Sequence, residues 1–219
     1  MKKSIKLSVL FLWMPLFITA CGTTGKPDDK VSHYVLEYPA PPAPVIKKVP
    51  ALARVKRFSV APPYNTTRMI FRQDSFKRDE YIFHRWRVNP GDMVTDFFAR
   101  DVREAGLFLA VLPYDGAGSS DFLITGSVDE FLELDTEKTW IARLAVTFVL
   151  LAEGERDATK KLVIQKSYRT ETEFPAKTPQ AFAEAMSRSM AHISKMAVSD
   201  MYRALTEKSG DRIKIGQNH

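Results

Sequence analysis

One cysteine, Cys21, is all the chain has, which excludes a disulfide framework and any thiolate metal cluster. Histidine is nearly as scarce. His33, His84, His192 and His219 are the full set, and no two of them stand at ligand spacing. No HExxH pair, glycine-rich phosphate loop or nucleophile elbow is present. Long apolar runs are missing too. Leu7 to Ile18 is about a dozen residues, broken by Ser8 and Pro15, where a membrane-spanning helix needs ~20. No run of lysine and arginine marks a nucleic-acid surface. The sequence therefore shows no recognised catalytic motif, metal-ligand set or cofactor cradle, which does not exclude catalysis but makes a non-enzymatic binding or scaffold protein the expectation.

What is present begins at the N-terminus. Lys2, Lys3 and Lys6 precede the short apolar stretch, and together they describe a signal peptide over residues 1–20 rather than an anchor helix. Ile18-Thr19-Ala20-Cys21 resembles a lipobox: an aliphatic residue, two small ones that enter a peptidase site in extended form, then the cysteine. Cys21 is the expected lipidation site. Its thiol would take diacylglycerol and its amine an acyl group such as palmitate, and two chains or more hold a protein stably on a membrane. Gly22 stands where lipoproteins kept at the inner membrane usually show Asp, so it resembles the outer-membrane type, on the periplasmic face. The formal charge is +6, and a cut before Cys21 removes three lysines and no acid, leaving +3. Half of the basicity thus belongs to the targeting signal.

Residues 21–50 are expected to be a lipidated, proline-rich tether. It carries a polyproline-like strap over Pro39 to Pro44 and a short strand at Tyr34 to Tyr38. Residues 51–208 are expected to form one folded domain, with a tail at 209–219. Arg54 to Val60 reads as a strand stopped by Pro62-Pro63, and Met69–Arg72 and Glu80–Phe83 as a hairpin around the charged turn Gln73 to Asp79. Asn89-Pro90 opens a helix with Val94, Phe98 and Val102 on one face, ended by Gly106. Phe108 to Leu112 reads as a buried strand by length.

Three period-2 segments follow. Their apolar faces are Phe122, Ile124, Val128, Leu132 and Leu134, then Leu144 to Leu150, then Leu162, Ile164, Tyr168 and Phe174, which predicts an antiparallel meander. A last helix starts at Thr178-Pro179 and runs to about Lys208, with Phe182, Met186, Met190, Ile193, Ala197, Met201 and Leu205 as its apolar stripe. The expected class is α+β, a mostly antiparallel sheet with two main helices packed on one side. The methionines Met186, Met190, Met196 and Met201 fit either core packing or an adaptable binding face.

The order of these features resembles one family, the ABC-type transport auxiliary lipoproteins (PqiC-like). The residues that carry the likeness are Tyr34-Val35-Leu36 soon after Cys21, the exit Val60-Ala61-Pro62-Pro63-Tyr64, and Ile70-Phe71-Arg72. Arg85-Trp86 ahead of the first helix, Gly126, Val128, Glu130 and Phe131 in one strand, and the alanine-rich final helix complete it. Arg87-Val88-Asn89-Pro90 departs from the family pattern, which follows Arg-Trp with a small residue, an acid and a proline.

The resemblance implies a non-catalytic docking or capping component that works beside a mammalian-cell-entry (MCE) domain protein and an ABC permease and ATPase. Such systems move apolar molecules between membranes, and the resemblance is compatible with a homo-oligomeric ring. It also directs attention to Tyr64, Arg68, Phe71, Arg72, Arg85 and Trp86, because aromatic and arginine side chains supply most interface energy. Two other readings stay open: a lipoprotein scaffold or activator of another envelope machine such as cell-wall synthesis, and an envelope hydrolase with an unrecognised site.

Overall fold

The structure is a computed structural model and describes residues 30–42, 47–116 and 118–216, with side chains described to residue 207. The signal segment, Cys21, Gly22, part of the proline strap and the side chains of the C-terminal tail lie outside the described residues. In chain order the elements are β1 (Ser32–Tyr34), β2 (Val49–Val55), β3 (Ser59–Val60), a 3-10 turn (Pro62–Tyr64), β4 (Arg68–Arg72), β5 (Asp79–Trp86) and α1 (Pro90–Glu104). After these come β6 (Phe108–Leu112), β7 (Phe122–Asp135), β8 (Trp140–Ala152), α2 (Ala158–Lys161), β9 (Leu162–Phe174) and α3 (Pro179–Gly216).

β7, β8 and β9 form the antiparallel meander, and β4 and β5 the antiparallel hairpin. These ladders hold most of the pairing, so the α+β reading with a mostly antiparallel sheet holds. The remaining strands add in parallel. β2, β3 and β4 line up along one edge of β7, β6 extends β2, and β1 extends β5. α1 and α3 cover the sheet and supply much of the core. Val94, Phe98 and Val102 from α1 and Phe182, Met186, Met190, Ile193, Ala197 and Met201 from α3 are all buried. The methionine stripe is therefore core, except Met196, which is partly buried against it.

Local chemistry accounts for where the elements begin and end. The Asn89 Oδ1 accepts from Gly91 N at 2.9 Å, Pro90 occupies the first helical position and Asp92 sits in the first turn of α1. Gly106, at φ 67°, then turns the chain out of the helix in a conformation that favours glycine.

Several expected boundaries move. The Arg54–Val60 strand is two strands broken at residues 56–58. The Phe58 amide donates to Thr95 Oγ1 of α1 instead of joining a ladder, and its ring turns into the core against Phe98 and Phe148. The Tyr34–Tyr38 strand ends at Tyr34. Beyond it the Glu37 amide donates to Ser187 Oγ on α3, and the Tyr38 hydroxyl donates to Asp101 on α1. The stretch from Val31, read as tether, thus belongs to the compact unit. Phe108–Leu112 is an edge strand rather than a buried one, since β6 pairs only with β2 and leaves Leu109 59% exposed. α3 continues past Lys208 to Gly216, because a helix already propagating absorbs the cost of one glycine, about 1 kcal/mol.

The largest departure lies inside β7. Its pairing with β8 shifts between Val128 and Glu130, so Asp129 is an extra residue. The bulge is held by Ser127 Oγ and Thr147 Oγ1, which donate to the two Asp129 carboxylate oxygens at 2.6 Å each. A one-residue shift exchanges the faces of everything beyond it. Ile124 and Val128 face the core as expected. After the bulge that face continues with Phe131, Glu133 and Asp135, paired with Leu144, Ala142 and Trp140, while Leu132 and Leu134 take the opposite face.

Candidate functional site

The expected docking residues cluster on the β4–β5 hairpin, and the structure divides them. Trp86 is 1% exposed, packed edge-on to Phe131 and Phe182, and Tyr64 is buried. Neither side chain is open to a partner. Both are interior residues: Trp86 at the end of β5 packs against Phe182 of α3, and the 3-10 turn lies on β7. Arg68 stays on the surface in an ion pair with Glu80. Phe71 and Arg72 are half-buried, Phe71 resting on Tyr81 at 5.1 Å. Arg85 is half-buried with a buried Nε that has no hydrogen-bond partner. What the hairpin shows to solvent instead is Phe76 at its tip, and Ile82 and Phe83 along β5.

Beneath the hairpin lies a titratable cluster that the sequence reading missed. Glu133 is fully buried, and the Tyr81 hydroxyl lies 3.1 Å from each of its oxygens, donating to that carboxyl. Tyr81 also stands edge-on to His84, whose Nδ1 is hydrogen-bonded to the Tyr34 hydroxyl at 3.1 Å. On the other side, Asp135 is held by Lys177 and by Gln73. Burial pushes the Glu133 carboxyl up to about 8, and the neighbouring Asp135 carboxyl adds to the effect through a shared hydrogen bond and its charge. The Tyr81 bond and the Lys177 charge oppose it. Burial and the Glu133 charge likewise raise the Tyr81 phenol.

A carboxyl displaced this far carries a proton near neutrality. That proton answers a second observation, because Asp135 Oδ1 is buried without a standing donor and a protonated Glu133 beside it supplies one. The signal for this cluster was an acid inside the apolar run Phe131-Leu132-Glu133-Leu134. Without the bulge, Glu133 reads as solvent-facing.

Elsewhere the chemistry is sparse. Among the described residues no three His, Cys, Asp or Glu side chains come together as a metal site. His33 and His192 are exposed. An open groove of about 490 Å³ lies at the opposite end of the sheet, among Ala51, Phe122, Ala152, Val163 and Leu205. Its Asp121 carboxylate accepts from the Leu52 amide at 2.7 Å. No helix among the described residues is long and apolar enough to cross a membrane.

No family model matches the chain, and no curated protein does. Solved structures do. A Xanthomonas campestris protein of family DUF330 superposes with a TM-score of 0.73 at 17% identity, over 82% of this chain and 99% of that one. An uncharacterized protein superposes with a TM-score of 0.62 at 10% identity, over 78% of this chain and 99% of its own. At such identities the likeness is one of fold.

Proposed function

We propose that the chain is an envelope lipoprotein, anchored through Cys21, that serves as a non-catalytic docking or capping component of an MCE/ABC-type lipid transport system. The observation that carries this reading is the succession of a lipobox-like segment and a domain with the DUF330 fold. The order of strand, Pro-Pro-Tyr exit, Arg-Trp and final helix in the sequence, which resembles the ABC-type transport auxiliary lipoproteins (PqiC-like), supports it. The outer membrane, periplasmic face, is the proposed address, on the strength of Gly22.

Two measurements test it. Metabolic labelling with a fatty-acid probe should mark the wild type and not Cys21→Ser, and equal labelling of both removes the anchor. Capture from membranes with the lipidated protein as bait should recover an MCE-domain protein and its permease. Recovery of cell-wall synthesis proteins in their place would move the function to that machinery.

A further inference from the structure

Phe76 is 103% exposed at the tip of the β4–β5 hairpin, and Ile82, on β5, is 69% exposed. A large apolar side chain held wholly in water at a loop tip asks what covers it. Basic groups surround it. Lys77 is neutralised by Asp79 and Glu80 by Arg68, which leaves Arg72 and Arg78 against Asp74. Arg78 reaches the Ser75 and Lys77 carbonyls and so stays within the tip.

The strand directions say which way this tip points. β1 runs parallel to β5 and pairs with it from Ser32↔His84 to Tyr34↔Trp86, so the start of β1 is its end nearer the hairpin tip. From His84 back to Asp79 is five residues of strand, about 17 Å, and the three residues on to Phe76 bring the separation to at most about 25 Å. The eleven residues from Cys21 to Val31 span at most about 35–40 Å. That length is enough for the membrane that holds a lipid on Cys21 to be met by the tip. The same end of the sheet carries the β7–β8 turn, with Glu137 and Lys138, and Lys177, paired with Asp135, ahead of α3. The α2 helix lies at the other end, where Phe122 pairs with Ala152.

We infer that the β4–β5 hairpin tip rests on the phospholipid surface of the membrane that holds Cys21. Phe76 enters the headgroup region, and Arg72 and Arg78 meet lipid phosphates. The inference rests on the lipoprotein reading. An aromatic flanked by cations suits the interface, where an apolar body and a charged rim are both satisfied. The tip alone would bind a bilayer weakly. The anchor supplies a high local concentration, so a weak contact suffices to fix which end of the domain faces away from the membrane.

The test uses the full-length, acylated protein in vesicles of phosphatidylethanolamine and phosphatidylglycerol. Acylation consumes the only native thiol, so Phe76→Cys and, separately, Lys161→Cys on α2 each accept a polarity-sensitive fluorophore at one place. Labelling of the wild-type thiol would report failure of the anchor itself, a separate outcome from failure of the contact. The expected result is a blue-shifted emission at position 76, quenched by brominated lipids, with a water-like emission at position 161. Adding Arg72→Glu and Arg78→Glu should lower the quenching at position 76 several-fold. Water-like, unquenched emission at 76 in acylated protein overturns the inference. So does equal quenching at both positions, or a shift at 76 that needs a second protein. Phe76 makes no buried contact, so an unchanged melting temperature separates these outcomes from misfolding.

Discussion

Glu133 places a carboxyl where the fold supplies one hydroxyl donor and almost no water, and its proton affinity follows. Its ordinary value is 4.5 and its native value about 8, so between those pH values the native state keeps a proton that the unfolded chain has lost. Stability then falls as pH rises through that window. The contribution is full below about 4.5 and gone above about 8. Each unit of displacement is worth about 1.4 kcal/mol. Glu133→Gln keeps an acceptor for the Tyr81 hydroxyl and removes the titration. It should be more stable than wild type at pH 8, by at most about 4 kcal/mol, with little difference at pH 5. Denaturant melts at the two pH values measure this, and parallel pH dependence in the two proteins would refute it. Tyr81→Phe should act in the other direction on the carboxyl itself: without the phenol donor, Glu133 should titrate higher still.

At the scale of elements, β7 shows what a sequence can and cannot state. Its period-2 pattern, its length and its partners β8 and β9 are legible, because alternation across a strand is a direct consequence of the pleat. The bulge at Asp129 is not. Nothing in Ser127-Val128-Asp129-Glu130 marks an extra residue until Thr147 on the neighbouring strand is beside it. That one residue hides the site, for it carries Glu133 inward and leaves Leu132 and Leu134 on the other face. The same limit explains the strand broken at Phe58, whose partner Thr95 is on a helix far along the chain. Capping and turn residues, by contrast, act locally, so the start of α1 at Asn89-Pro90 and its end at Gly106 were readable. Gly126 joins the two cases. A Cβ there would stand 2.0 Å from the Thr147 carbonyl oxygen and 2.8 Å from the Phe58 ring. Both are fixed, one by the ladder and the other by core packing. Gly126→Ala should destabilise the domain by about 2–3 kcal/mol or prevent folding, read as a lowered melting temperature. A neutral effect would mean the β7–β8 ladder is wrongly paired there.

For the molecule as a whole the question is orientation, and the hairpin carries it. Under the proposed function the domain must meet its own membrane and a periplasmic assembly at once, so one hairpin would serve two surfaces. Its tip, with Phe76, lies toward the end of β5 where β1 begins. Its base, where Arg68 pairs with Arg85 across the ladder, lies farther up β5. Tyr64 and Trp86 hold that base from inside. They fix its shape, so that under the proposed function recognition would fall to the exposed part of Arg68 and its neighbours. Reversing the charge with Arg68→Glu breaks the ion pair with Glu80, whose partners are both more than 40% exposed. Such pairs contribute about 0–1 kcal/mol, so the melting temperature should barely move. Capture of the MCE-domain partner should weaken, because two acids then face it where a cation stood. Phe76→Ser should do the opposite, leaving capture in detergent intact and changing only the behaviour on vesicles. If Arg68→Glu captures the partner as wild type does, the base of the hairpin is not the docking surface. If Phe76→Ser loses capture in detergent, the tip belongs to the partner and not to the membrane.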